Sequence, residues 1–83
     1  MNLYIVSYDL LTPGRNYEPL YSELLRLGAT RVLLSQWLVR SPATAMQLRD
    51  HFWQYMDPND RLLVNAIDQN WAAFNLLVNP NHF

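Results

Sequence analysis

Apolar and polar positions along the chain divide it into short segments with the spacing of strands or helices. The first segment, residues 3–10, is rich in β-branched and aromatic residues, is too short for a helix, and is followed by turn-forming residues at 12–14, so we predict a buried strand. Apolar residues then recur at i, i+3, i+4, i+7 and i+8, which is one face of an amphipathic helix: Tyr17, Leu20, Tyr21, Leu24 and Leu25. Gly28 is the expected C-terminal cap of that helix, and Pro19 fits its first turn, where a missing N–H has no partner to lose.

Two further regions have the composition of strands. Residues 31–40 are apolar and β-prone throughout, and we interpret them as two short strands broken near Ser35 in preference to one bent strand. Four turn formers at 57–60 precede a last predicted strand, Arg61–Ile67.

A second helix is predicted between these regions. Thr44 and Gln47 have the spacing of a capping box, in which each side chain satisfies a free backbone N–H of the other residue. The apolar face of the helix follows at Ala45, Leu48, Phe52 and either Tyr55 or Met56. The order strand, helix, strand, strand, helix, strand packs as two helices on one face of an antiparallel sheet, so the sequence predicts an α+β fold with the ferredoxin-like βαββαβ layout.

The chain is expected to form a single domain over residues 1–83, with a core of about 3–67 and a C-terminal tail at 68–83. Eighty-three residues leave room for one hydrophobic core. The tail has no clean period, and we expect a loop or a short edge element that crosses to a partner subunit. So small a core has no disulfide or metal site to stabilise it, and 13% of the residues are aromatic. A homodimer is therefore the expected way to bury more surface.

Composition and charge restrict the functional classes. The chain has no cysteine, which excludes a thiol mechanism, and its net charge of −1 lacks the basic excess usual in nucleic-acid-binding proteins. A nucleic-acid role would therefore depend on a local cluster made denser by dimer symmetry: Arg15, Arg26, Arg31 and Arg40. The apolar runs fall short of the ~18–20 residues that cross a bilayer, and we expect no signal peptide, no membrane partner and a cytoplasmic location.

Asp9 is the main candidate for chemistry. It ends the first predicted strand, where a carboxylate can meet solvent or a ligand while the residues before it are buried. One carboxylate is a poor Mg²⁺ site, because the ion requires octahedral oxygen coordination, so a twofold axis beside Asp9 would have to supply a second. The alternative is that Asp9 accepts backbone hydrogen bonds in the turn that follows.

Other polar and aromatic residues have structural explanations. His51 and His82 are too few and too far apart for a zinc site, which needs three or four ligands. Three aspartates have proline or asparagine neighbours, which favours turn and capping roles: Asp57, Asp60 and Asp68. Trp37 is one of three tryptophans for which packing in the core or an interface is favoured over stacking on bases.

Several short motifs resemble one known family. Three motifs and the order of elements are similar to the CRISPR-associated Cas-two family and its stand-alone Cas-two-like relatives. The motifs are LYIVSYDL at 3–10, GATRV at 28–32 and SQW at 35–37, and the likeness covers roughly residues 3–67. Members of that family are small ferredoxin-like homodimers. The resemblance therefore implies the same fold and assembly, and a link to antiviral defence.

The resemblance also implies a site. In the family a Tyr-Asp pair ends the first strand, and two symmetry-related aspartates hold Mg²⁺ for phosphodiester cleavage; Tyr8 and Asp9 match that pair. Arg31 and Trp37 match an arginine and an aromatic of the family, and Arg15 is the one basic residue near the start of the first helix, so these three are the candidate nucleic-acid contacts. The implied function is a metal-dependent endonuclease acting on RNA or DNA.

The chain also departs from the family's pattern. It has NYEP at 16–19 where basic residues are usual, and Leu33 where a polar residue is usual. With the slightly acidic net charge, these departures support an alternative function. The chain would then be a non-catalytic dimeric module that docks on nucleic acid or a partner protein, such as another CRISPR-associated protein, through a sheet edge or its tail.

Overall fold

The computed structural model describes residues 1–78 and shows a four-stranded antiparallel sheet with two helices. In chain order the elements are β1 (Asn2–Asp9), α1 (Glu18–Arg26), β2 (Thr30–Leu33), β3 (Gln36–Ser41), α2 (Ala45–Trp53) and β4 (Arg61–Ile67). Across the sheet the order is β2-β3-β1-β4, so β3 and β1 are central and β2 and β4 are edge strands. The predicted α+β class and the predicted order of elements are confirmed. His82 lies outside the described residues.

Alternation along β1 gives the sheet two unlike faces. Successive side chains of a strand point to opposite sides. Three even-numbered residues of β1 are buried in the core with the inner faces of both helices: Tyr4, Val6 and Tyr8. The odd-numbered residues point away from the helices, to a side that we call the open face: Leu3, Ile5, Ser7 and Asp9.

One hydrophobic core lies between the sheet and the helices. The helices contribute Leu20 and Leu24 from α1, and Leu48 and Phe52 from α2. Leu25, predicted to face this core, is instead 64% exposed. Consecutive helical residues are rotated by about 100°, so a stripe centred on Leu20 and Leu24 turns Leu25 toward solvent.

The predicted capping features at the start of α2 and the end of α1 are present, whereas α2 ends at Trp53, before the predicted Tyr55 or Met56. The Thr44 hydroxyl accepts a hydrogen bond from the Gln47 N–H at 3.1 Å, and the Gln47 side chain accepts one from the Thr44 N–H at 2.9 Å, which is the capping box of α2. At the end of α1, Gly28 has a φ of +80°, a conformation that costs glycine little. The Ala29 N–H then closes the helix on the Leu24 carbonyl at 2.9 Å.

The described part of the tail, residues 68–78, contains no helix or strand. It returns to the far edge of the sheet, where the Leu77 N–H donates to the Val32 carbonyl at 2.9 Å. Leu38, which faces the open side because it pairs with Ile5, is only 2% exposed. The tail therefore covers the open face at β2 and β3 within one chain, and its crossing to a partner stays a prediction. Within residues 1–78, no helix has the length and apolarity to span a membrane.

Candidate functional site: the Asp9 cleft

Asp9 ends β1 on the open face, directly opposite Arg61, the first residue of β4. An Arg61 guanidinium nitrogen, Nη1, lies 3.4 Å from the Asp9 carboxylate oxygen Oδ2. Both side chains are mostly exposed, 57% for Asp9 and 74% for Arg61. An ion pair this open to water contributes little to stability, so a ligand can separate the two groups at small cost.

A shallow cleft of about 250 Å³ surrounds this pair, and we call it the Asp9 cleft. Besides Asp9 and Arg61, the polar residues that line it are Ser7, Tyr8, Ser35 and Gln36. A wider cavity of about 720 Å³ lies at the other end of β1; it is lined by Arg40 but by none of the other residues considered for the site. The Asp9 cleft therefore combines one carboxylate, one guanidinium and neutral hydrogen-bonding groups at the end of the central strand.

Asp60 fixes the loops beside the cleft. Its carboxylate is nearly buried, at 6% exposure, and accepts hydrogen bonds at 2.8 Å from the Leu11 N–H, the Asp57 N–H and the Tyr17 hydroxyl. Burial by itself raises the pKa of Asp60, but the donated hydrogen bonds outweigh it and the net pKa lies below the ordinary value. Asp60 directly precedes Arg61, so its contacts join the start of β4 to the β1–α1 loop.

The turn and capping roles predicted for the three aspartates are confirmed. Asp57 accepts a hydrogen bond from the Asn59 N–H at 3.0 Å, and Asp68 accepts one from the Asn70 N–H at 2.7 Å. Asp60 makes the same kind of contact with the Asp57 N–H. Each carboxylate satisfies backbone donors of its own turn.

Tyr8, Arg31 and Trp37 form a second cluster on the helix side of the sheet. The Tyr8 hydroxyl accepts hydrogen bonds from Arg31 Nη2 at 3.0 Å and from Trp37 Nε1 at 2.9 Å. The Arg31 guanidinium carbon also lies 4.8 Å from the Tyr21 ring centre and 4.9 Å from the Trp37 ring centre, within cation–π range. The hydrogen bond to Tyr8 raises the pKa of Arg31 above its ordinary value.

The structure does not bring this cluster to Asp9. Tyr8 and Asp9 are neighbours in a strand, so their side chains point to opposite faces of the sheet. Trp37 is 4% exposed, and its ring is therefore not open to a base. Arg15, the third predicted contact, has its guanidinium 3.7 Å from the Asp57 carboxylate and 5.8 Å from the Tyr17 ring centre.

The cleft contains one charged residue, Arg61, that no sequence motif indicates as functional. In the sequence, Arg61 marks only the start of the last predicted strand. Its position beside Asp9 follows from the antiparallel pairing of β1 with β4, since the first residue of one strand then opposes the last residue of the other. Pairing of the first and last predicted strands is the signal that would have identified it.

One chain offers a single carboxylate at the Asp9 cleft, that of Asp9. Among residues 1–78, no group of three or more His, Cys, Asp or Glu side chains is arranged to hold a metal. Mg²⁺ takes six oxygen ligands, commonly one or two carboxylates with the rest from water and substrate phosphate. The Asp9 carboxylate alone falls short of that coordination, so the predicted magnesium site requires a second Asp9 from another copy and stays a prediction.

Comparisons with known proteins give no family assignment. No protein-family model matches the chain. No solved structure matches it at a significant level. The function of the Asp9 cleft is therefore inferred from its own residues.

Proposed function

We propose that the chain is a Cas-two-like homodimer that binds RNA or DNA at the Asp9 cleft and cleaves its phosphodiester backbone with Mg²⁺. The observation that carries this proposal is the placement of Asp9, an exposed carboxylate at the end of the central strand, in a cleft open to solvent. A phosphodiester can reach this carboxylate without any rearrangement of the core. The Tyr8-Asp9 match to the family supports the same assignment.

The ferredoxin-like layout is part of this proposal. The element order βαββαβ supports it, as does the position of β1 between β3 and β4. Burial of both helices' inner faces in one core with β1 supports it further.

A second copy on the open face would complete the site. Leu63, two residues beyond Arg61 on the same side of β4, is 60% exposed and also lines the cleft. A homodimer that brings two Asp9 clefts together would cover this apolar surface and supply the second carboxylate. The dimer axis in this proposal therefore passes beside Asp9.

The chain's own residues would have distinct tasks in cleavage. Asp9 would hold the metal, while Ser7 and Gln36 would donate hydrogen bonds to phosphate oxygens. When bound, Mg²⁺ supplies charge stabilisation at the phosphate and lowers the pKa of a bound water. Tyr8 is a positioning residue, because its hydroxyl ties the end of β1 to Arg31 and Trp37.

A cleavage assay tests the proposal. Labelled single- and double-stranded RNA and DNA are incubated with Mg²⁺, Mn²⁺ or EDTA and with wild-type protein, Asp9→Asn or Asp68→Asn. Asp68 is a matched control because it is exposed and lies just past the other end of β4. We expect metal-dependent cleavage that is lost in Asp9→Asn and retained in Asp68→Asn. Equal cleavage by wild type and Asp9→Asn would refute the proposal.

One observation favours the second candidate function, a non-catalytic dimeric interaction module. The arginine that the family resemblance assigns to phosphate, Arg31, is engaged by Tyr8 and two aromatic rings. A wild-type protein that is dimeric by light scattering but cleaves no substrate would support this module. A strict monomer at micromolar concentration would count against both candidates.

A further inference from the structure

Arg61 occupies the position from which a side chain can reach a ligand at Asp9. The two residues are directly opposed in the antiparallel pair of β1 and β4, which places their Cβ atoms about 4.5–5.5 Å apart on one face. The Arg61 side chain is 74% exposed and lines the Asp9 cleft. The Arg61 guanidinium can therefore contact a ligand that is bound at the Asp9 carboxylate.

The contact between Arg61 and Asp9 is weak enough to be exchanged. It joins one guanidinium nitrogen to one carboxylate oxygen at 3.4 Å, near the long limit of a hydrogen bond. The planar guanidinium of arginine can donate two parallel hydrogen bonds to one phosphate. The single long contact with Asp9 leaves that second hydrogen bond unmade. A phosphate entering the cleft would thus offer Arg61 better geometry than Asp9 does.

The other candidate arginines are held elsewhere. Arg31 lies on the helix side of the sheet, where it donates to Tyr8 and packs against Tyr21 and Trp37. To reach Asp9 it would have to abandon these contacts and pass through the sheet. Arg15 pairs with Asp57 in the loops beyond the strand ends.

We propose that Arg61 is the residue that binds a backbone phosphate of nucleic acid in the Asp9 cleft. This assignment rests on the proposed function. The phosphate draws the guanidinium away from Asp9, and the carboxylate is left free on the open face. Arg31 has a different role, which is to hold Tyr8 and the end of β1.

Fluorescence anisotropy with labelled single-stranded RNA and DNA tests this assignment. EDTA is present throughout, so binding is measured without cleavage, and the salt concentration is varied. Wild type is compared with Arg61→Gln and with the control Arg49→Gln, which removes another exposed arginine, one paired with Asp50 on α2. Circular dichroism and thermal unfolding of each variant check that the fold is intact.

We expect Arg61→Gln to weaken binding by about tenfold, the equivalent of one charge-assisted hydrogen bond. The slope of log affinity against log salt should fall by about 0.7 for each single-strand phosphate contact that is lost. Arg49→Gln should change neither quantity.

The outcomes separate this inference from the proposed function. Wild-type affinity in a folded Arg61→Gln variant, or an equal loss in Arg49→Gln, would overturn the role of Arg61 while leaving the Asp9 nuclease in place. An absence of binding by the wild-type protein in EDTA would overturn the role of Arg61, while the cleavage assay with Mg²⁺ decides the proposed function separately.

Discussion

Replacement of Asp60 by asparagine removes a nearly buried carboxylate on which two loops depend. Its oxygens accept hydrogen bonds from the backbone N–H groups of Leu11 and Asp57 and from the Tyr17 hydroxyl, each at 2.8 Å. Asparagine has a similar shape but only one acceptor oxygen, and its NH₂ group would face a backbone donor. The variant therefore leaves at least one N–H of these loops without a partner.

The expected loss of stability follows from these contacts. A hydrogen bond to a charged group contributes about 1.5–3 kcal/mol, and a buried donor left unsatisfied costs about 1–3 kcal/mol. We therefore expect Asp60→Asn to lower the free energy of unfolding by about 2–3 kcal/mol. A domain of this length is stable by only about 4–12 kcal/mol. At about 4–8 °C for each kcal/mol, the melting temperature should fall by roughly 10–20 °C.

Urea and thermal unfolding followed by circular dichroism measure this change. Asp50→Asn is the matched control, because Asp50 is exposed on α2 and its carboxylate pairs with the neighbouring Arg49. Its effect should stay within about 0.5 kcal/mol of zero. If Asp60→Asn were as stable as the control, the Asp60 contacts would not stabilise the loops and the reasoning would be wrong.

Two further predictions concern stability. Hydrogen bonding from Arg26 lowers the pKa of Glu23 from 4.5 to about 2, and the pKa of Asp60 is also lowered. Both carboxylates therefore stabilise the fold above their unfolded pKa values. They lose that contribution as the pH falls through their folded pKa values. The melting temperature should therefore drop between about pH 4.5 and pH 2, less steeply in Asp60→Asn; a constant value over that range would contradict the assigned contacts. Phe52 is fully buried, and Phe52→Ala should cost about 3–5 kcal/mol in urea unfolding. The exposed Met46→Ala on the same helix should change stability by less than about 0.5 kcal/mol, and similar losses in both variants would mean that packing of α2 is not the cause.

Local patterns were sufficient to predict the secondary structure. The last strand begins and ends where the sequence indicated, at Arg61–Ile67, because a turn-forming segment precedes it. The start of α2 follows from the Thr44 and Gln47 side chains alone. The break near Ser35 separates β2 from β3 as expected. Each of these features depends on residues that are close together in the sequence.

The composition of the site depends on pairing that no local pattern contains. Asp9 and Arg61 are 52 residues apart, and their contact exists because β4 pairs with β1 in one register. A shift of that register by one residue would move Arg61 to the helix side. The enclosure of Arg31 by Tyr8, Tyr21 and Trp37 likewise required the pairing of β2 with β3.

Asp60 connects the stability of the fold with the geometry of the cleft. It directly precedes Arg61, and it holds the N–H of Leu11, two residues beyond Asp9. One carboxylate therefore joins the chain segments that follow β1 and precede β4, where the ladder between the two strands ends. Loops at the end of a sheet are ordinarily its most mobile part. Because Asp60 orders both segments before any ligand arrives, Asp9 and Arg61 are held on one face at little further entropic cost on binding.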